Sequence, residues 1–251
     1  LVEIKDEEEI EPMSYHRRVL KEMVAKKIAG DILYSSNIGL AMKKWREYFG
    51  VKQSELAKML GISASVISDY ESGRRRSPGS YVLKRFIQAI IAKDEETGGN
   101  KLKVLAKSMG IGLLLSSVID MAEMTIPVEL EKFIEWIDGE LIVPGNTLIH
   151  GYTVIDSIRA IENLSGTDFM KLFGSSTERA LIFTRVGTGR SPMVALKVFD
   201  IRPSLVVLHG LKPDSVDRLG IRLAEIMGVP LAVSKMESVR DMVESLRKRL
   251  E

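Results

Sequence analysis

The 251-residue chain is 45% hydrophobic and 28% charged and contains no cysteine. That balance excludes disordered, collagen-like and disulfide-stapled chains, and the missing thiols exclude cysteine nucleophiles and cysteine-built zinc sites. The net charge of +2 hides an uneven distribution, because residues 37–93 carry eleven Lys and Arg against four acids while the remainder is net acidic. A basic module on an otherwise mildly acidic chain is the electrostatic footprint of a nucleic-acid reader joined to something else.

The chain starts with an acidic leader, residues 1–11, followed by Pro12, whose missing N–H suits a first helical turn. Val19, Met23, Ile28, Ile32 and Leu33 give a helical stripe up to residue 36. Ser35, Ser36 and Asn37 are candidate caps for a next helix, on which Met42, Trp45 and Phe49 share one face and which Gly50 ends. Two short helical patterns follow, 53–60 and 64–72, separated by Gly61, Ile62 and Ser63. A fourth begins near Pro78 and runs through Leu83, Phe86, Ile87, Ile90 and Ile91. The polar, glycine-rich stretch 94–100 reads as a linker.

Beyond it, helical patterns over 101–124, 128–138 and 151–163 predict a helical connector at 101–164. From 165 to 251, apolar runs at 180–184, 204–208 and 229–233 alternate with helical stretches at 191–200, 214–227 and 237–250. This alternation predicts an α/β domain with a mainly parallel sheet, so the chain is expected to be multi-domain, all-α at its start and α/β at its end. The longest apolar stretch, 109–124, is interrupted by Ser116, Ser117, Asp120 and Glu123 and falls short of a bilayer-spanning helix. With the acidic start, this predicts no signal peptide, no membrane partner and a cytoplasmic location.

The segment 53–73 is the most informative. Two helices joined by about three residues cross steeply, which constrains the joint chemically. Ala57 is small where the second helix passes, and Gly61 can adopt the positive φ that ends the first. Ile62 is expected to turn into the core, Ser63 to cap the second helix, and Leu56, Leu60, Ile67 and Tyr70 to form the shared seam.

With Gln53, Ala57, Gly61, the Ile62–Ser63 pair, Ile67, Glu71 and Gly73 at these spacings, the region from 37 to 91 resembles the Cro and phage-repressor type of helix-turn-helix, the xenobiotic-response-element family. The resemblance implies double-stranded DNA as partner. It places the helix headed by Ser63 in the major groove, with Ala64, Ser65, Ser68 and Asp69 facing base edges. Serine hydroxyls donate or accept there, a methyl group touches thymine, and Asp69 could accept from a cytosine amino group. By the same resemblance Gln53 contacts a phosphate, and Ser72, Arg74, Arg75 and Arg76 are placed to clamp flanking phosphates. Arg46 and Glu71 match a family pair that bridges the first helix to the end of the reading helix, and belong to the scaffold.

In the C-terminal region, Thr188, Gly189, Arg190 and Ser191 lie between a strand and a helix that Ser191 could cap, with Pro192 in the first turn. Exposed N–H groups and Arg190 there could hold a small anionic metabolite, and His209 ends the next strand at the edge where parallel sheets bind ligands. The motif is neither a Walker loop nor a dinucleotide fingerprint. No nucleophile–base pair, metal cluster or paired carboxylate stands out. The expected function is that of a DNA-binding transcriptional regulator, not an enzyme, controlled by a small ligand or by assembly through its C-terminal domain. A homodimer is expected, since paired reading helices recover specificity that one small helix lacks. An enzyme acting on a phosphorylated metabolite, with an autoregulatory DNA-binding module, and an architectural or antitoxin-like DNA binder remain as alternatives.

Overall fold

The computed structural model describes residues 12–174 and 176–250; the leader at 1–11 lies outside the described residues. Two compact units divide the chain, the first spanning Arg17–Gly112 and the second beginning at Leu113.

The first unit is all-helical. Helix α1 (Pro12–Leu33) is followed by α2 (Ile38–Tyr48), α3 (Gln53–Leu60), α4 (Ala64–Glu71), α5 (Ser80–Glu96) and α6 (Asn100–Ser108). Asn37 caps α2, its side-chain oxygen accepting the Leu40 N–H at 3.0 Å, and Gly50 leaves that helix at φ 72°. The core joins Val24, Ile28 and Ile32 of α1 to Met42 and Trp45 of α2, Leu56 and Leu60 of α3, Ile67 of α4, and Phe86 and Ile90 of α5. Leu33, expected on the buried stripe of α1, is exposed instead.

The predicted linker at 94–100 is a capped joint between two helices of the same unit. The Asp94 carboxylate accepts the N–H groups of Lys101 and Leu102, at 3.1 and 2.8 Å, and is buried by doing so. A polar, glycine-rich sequence therefore serves a tight turn here. One carboxylate satisfies two of the N–H groups that a helix start leaves without partners.

The second unit opens with α7 (Gly112–Ser117) and continues as β1 (Val118–Glu129), α8 (Leu130–Trp136), β2 (Gly139–Val143), β3 (Leu148–Asp156), α9 (Ser157–Asn163), α10 (Gly166–Phe169), β4 (Ala180–Thr184), α11 (Arg190–Val198), β5 (Leu205–His209), α12 (Arg218–Met227), β6 (Leu231–Ser234) and α13 (Val239–Lys248). The sheet order is β1-β3-β4-β5-β6-β2. The four central strands run parallel, and β1 and β2 close the edges antiparallel to β3 and β6. Helical crossovers follow β3, β4 and β5, as parallel neighbours require. Every residue of β4, β5 and β6 is buried, which explains why these strands read as unbroken apolar runs.

The predicted helical connector is corrected by three strands that fall within 101–164. The stretch 113–122, apolar but for Ser116, Ser117 and Asp120, has no period that separates helix from strand, and from Val118 onward pairing with β3 decides the outcome. The signal for β3 lies in its composition, since Tyr152, Thr153, Val154 and Ile155 are aromatic or β-branched in succession.

Two buried polar clusters hold this sheet. Arg179, 1% exposed, donates to the carbonyl oxygens of Phe173 and Ala122 at 2.5 and 3.2 Å and to the Glu123 carboxylate at 2.9 Å. Asp120, fully buried on β1, accepts the Tyr152 hydroxyl at 2.8 Å and two N–H groups of Arg247, from Nε at 2.8 Å and from Nη2 at 2.5 Å. Arg247 lies in the last turn of α13, so this carboxylate ties the C-terminal helix to the sheet.

Candidate nucleic-acid interface

The joint between α3 and α4 follows the sequence closely. Gly61 is left-handed at φ 67°, its N–H meets the Lys58 carbonyl, and Ile62 donates to the Ala57 carbonyl at 3.0 Å. Leu56, Ala57, Leu60 and Ile67 fill the seam, each under 5% exposed. Ile62 departs from expectation, remaining 36% exposed on the turn because that seam is already filled. Ser63 stands at the cap position of α4 without making the capping bond; its hydroxyl lies 2.7 Å from that of Ser65. Tyr70 is half-buried at the seam's edge.

What orients α4 is a salt bridge beneath it. Arg46 of α2 donates from Nε and Nη2 to the two carboxylate oxygens of Glu71, at 2.6 and 2.9 Å, and from Nη1 to the Val51 carbonyl at 2.7 Å. Both side chains are buried, and the Glu71 carboxylate raises the Arg46 pKa further above its usual value, so the guanidinium stays charged. Gln53 joins the same group, its side-chain amide donating to Glu71 at 2.8 Å. An amide nitrogen has two hydrogens, so the predicted phosphate contact of Gln53 would use the second. Gly39 lets α2 approach the end of α4, since a Cβ there would strike the Tyr70 carbonyl oxygen.

With Ile67 and Glu71 turned inward, the opposite face of α4 presents Ala64, Ser65, Ser68, Asp69 and, one residue beyond, Ser72. Ala64, Ser65 and Ser72 are exposed; Ser68 and Asp69 are partly exposed. Gly73, at φ 76°, then reverses the chain, and the Arg75 N–H donates to the Asp69 carbonyl at 2.9 Å. The reversal brings Arg74 back over α4, its Nε donating to Asp69 Oδ1 at 2.7 Å. Arg75 lies over the Tyr70 ring, 5.8 Å from its centre, and Arg76 is exposed. The sequence showed a basic cluster after the helix, but not that Arg74 would engage Asp69.

In the second unit, Gly189 rather than Ser191 occupies the cap position of α11, at φ 74°, where a Cβ would strike Leu208. The predicted Ser191 cap is thus corrected: glycine alone fits the left-handed, crowded position, which pushes Ser191 into the first turn beside Pro192. The Thr188 carbonyl accepts the Asp217 N–H at 2.9 Å, and Arg190 Nε lies 3.8 Å from the Asp217 carboxylate. Arg190 and Ser191 are exposed, whereas His209 is only 3% exposed at the end of β5. A neighbouring pair, Arg185 with Asp156 at 3.2 Å, stands where β3 and β4 end. Among the described residues, no helix is long and apolar enough to cross a membrane.

Residues 42–90 match a helix-turn-helix family model. Over nine-tenths of its length the chain is 44% identical to an uncharacterized HTH-type transcriptional regulator of Methanocaldococcus jannaschii, covering 95% of that protein. It is 48% identical to an uncharacterized HTH-type transcriptional regulator of Archaeoglobus fulgidus over the same share of its length, covering 97% of the relative. No solved structure matches significantly. Identity at this level across both units, together with a helix-turn-helix built from the residues that its sequence motif implied, shows that the chain belongs to the family of archaeal HTH-type transcriptional regulators.

Proposed function

We propose that this chain binds double-stranded DNA and regulates transcription by setting the outer face of α4 in the major groove. One observation carries the reading: α4 is locked from below through Ile67 and Glu71, while its uncovered face carries small polar side chains that lead into three consecutive arginines. Ala64, Ser65 and Ser68 then meet base edges, and Asp69 shares their face. Gln53, Ser72, Arg75 and Arg76 hold the sugar-phosphate backbone, which fixes register without carrying sequence information. A homodimer places two such helices one duplex turn apart.

In the same reading, the second unit supplies control, through assembly or through an anionic metabolite at Thr188, Gly189, Arg190 and Ser191. The N–H groups at the start of α11 and the Arg190 guanidinium support that assignment. His209 would form part of the wall behind the site, being too enclosed to meet a ligand directly as the chain stands.

Arg75 gives the test, because it lies off the reading face against Tyr70. Arg75→Ala should weaken binding to specific and unrelated duplexes alike. It should also lower the slope of log affinity against log salt by about 0.9 for each phosphate no longer neutralised. Titrating fluorescent duplexes over a range of salt measures both, and weakening confined to one sequence would contradict the phosphate role.

A further inference from the structure

We infer that Arg74, held by Asp69, reads a guanine, and that Asp69 acts as a positioning residue rather than meeting a base itself. The inference rests on α4 entering the major groove and goes beyond it by naming a base and the side chain that recognises it.

Asp69 lies on the uncovered face of α4 with Ala64, Ser65 and Ser68, so whatever it holds is held on that face. It holds Arg74 through Nε at 2.7 Å. Among the described residues, the two terminal nitrogens of Arg74 meet no protein acceptor, and the side chain is 66% exposed. A guanidinium fixed by its inner nitrogen presents its outer edge as a two-pronged donor, the complement of guanine O6 and N7 in the major groove. The Asp69 carboxylate is at the same time tied through Oδ1 to that guanidinium, which makes it the support of the cation.

The turn after α4 builds this arrangement from the backbone. Ser72 donates to the Ser68 carbonyl at 2.9 Å and Gly73 to the Tyr70 carbonyl at 3.1 Å, and Arg75 returns to the Asp69 carbonyl. Gly73, left-handed at φ 76°, makes the reversal possible. Arg74 is therefore set at the C-terminal end of the reading face, where it would meet a base pair flanking those read by Ala64, Ser65 and Ser68. Arg75 and Arg76 are left for phosphates.

Selection of bound duplexes from a random library by the full chain, followed by titration of single-position variants of the selected site, tests the assignment. The selected site should contain a guanine whose replacement by 7-deazaguanine, which lacks the N7 acceptor, lowers affinity. Arg74→Ala should abolish the preference for that guanine, a loss of roughly ten- to a hundredfold in discrimination, and make 7-deazaguanine indifferent. Arg74→Lys should not restore it, because an ammonium cannot pair with Asp69 and span both acceptors together. Asp69→Ala should weaken the same preference at the same base pair while leaving the salt dependence unchanged, and Asp69→Glu should recover part of it. If Arg74→Ala lowers affinity for every sequence equally, or Asp69→Ala abolishes preference for a cytosine that Arg74→Ala leaves intact, the assignment is overturned. If the chain binds no duplex even in dilute salt, the major-groove reading fails first and this inference falls with it.

Discussion

Arg46→Ala is expected to destabilise the helical unit by about 3–5 kcal/mol, the cost of leaving a buried carboxylate without its charged partner. The Glu71 side chain is 3% exposed, and without the guanidinium it keeps, among the described residues, the Gln53 amide as its side-chain hydrogen-bond donor. Glu71→Ala should cost a similar amount, because Arg46 would remain buried with the Val51 carbonyl as its main acceptor. Denaturant titration of the full chain measures both losses. The effect on DNA follows from geometry, since Glu71 ends α4 and the bridge to α2 fixes the angle at which that helix leaves the core. Both variants should bind duplexes more weakly even in conditions where they remain folded. Replacing the two residues together by leucine or methionine of similar volume should recover most of the stability, because a buried ion pair and a packed apolar pair differ little in net free energy. A double variant as unstable as either single one would mean that the bridge contributes net free energy that apolar packing does not replace.

The second large effect belongs to the other unit. Arg247→Ala should cost about 3–5 kcal/mol, because fully buried Asp120 would lose both guanidinium hydrogen bonds and keep the Tyr152 hydroxyl. Asp120→Asn, which removes the charge and preserves most of the shape, should cost less. Arg247 also donates to the Met121 carbonyl at 3.0 Å, so its loss frees the end of α13 from β1 at two points. Hydrogen exchange should therefore accelerate in the last turn of α13 before it does in the central strands. Equal acceleration throughout the sheet would show that the cluster supports the whole unit rather than its C-terminal helix.

The legible and illegible parts of this chain divide on physical lines. Residues 37–91 could be read because each constraint was local: a glycine needing positive φ, an alanine at a crossing, and an apolar seam at helical spacing. Strands β4, β5 and β6 could be read because burial on both faces leaves them continuously apolar. The edge strand β1 could not, because its identity is settled by distant partners on β3 and its sequence fits either period. Nor could the capped turn at Asp94, where polar and glycine residues that signal a linker serve a tight joint instead. At the interface the residues were legible but their pairings were not. That Gln53 bonds Glu71, that Arg74 bonds Asp69 and that Gly189 displaces Ser191 as a cap all depend on where the chain returns after a glycine or a crossing.

The central claim is that α4 enters the major groove, and methylation protection on a bound duplex tests it most directly. Dimethyl sulfate modifies guanine at N7 in the major groove and adenine at N3 in the minor groove. The account predicts protection of guanine N7 within the selected site, with adenine N3 left reactive across the same base pairs. It also predicts that protection disappears at one guanine in Arg74→Ala and persists in Arg75→Ala at concentrations that restore binding. Protection of adenine N3 with guanine N7 fully reactive would place the protein in the other groove and contradict the account.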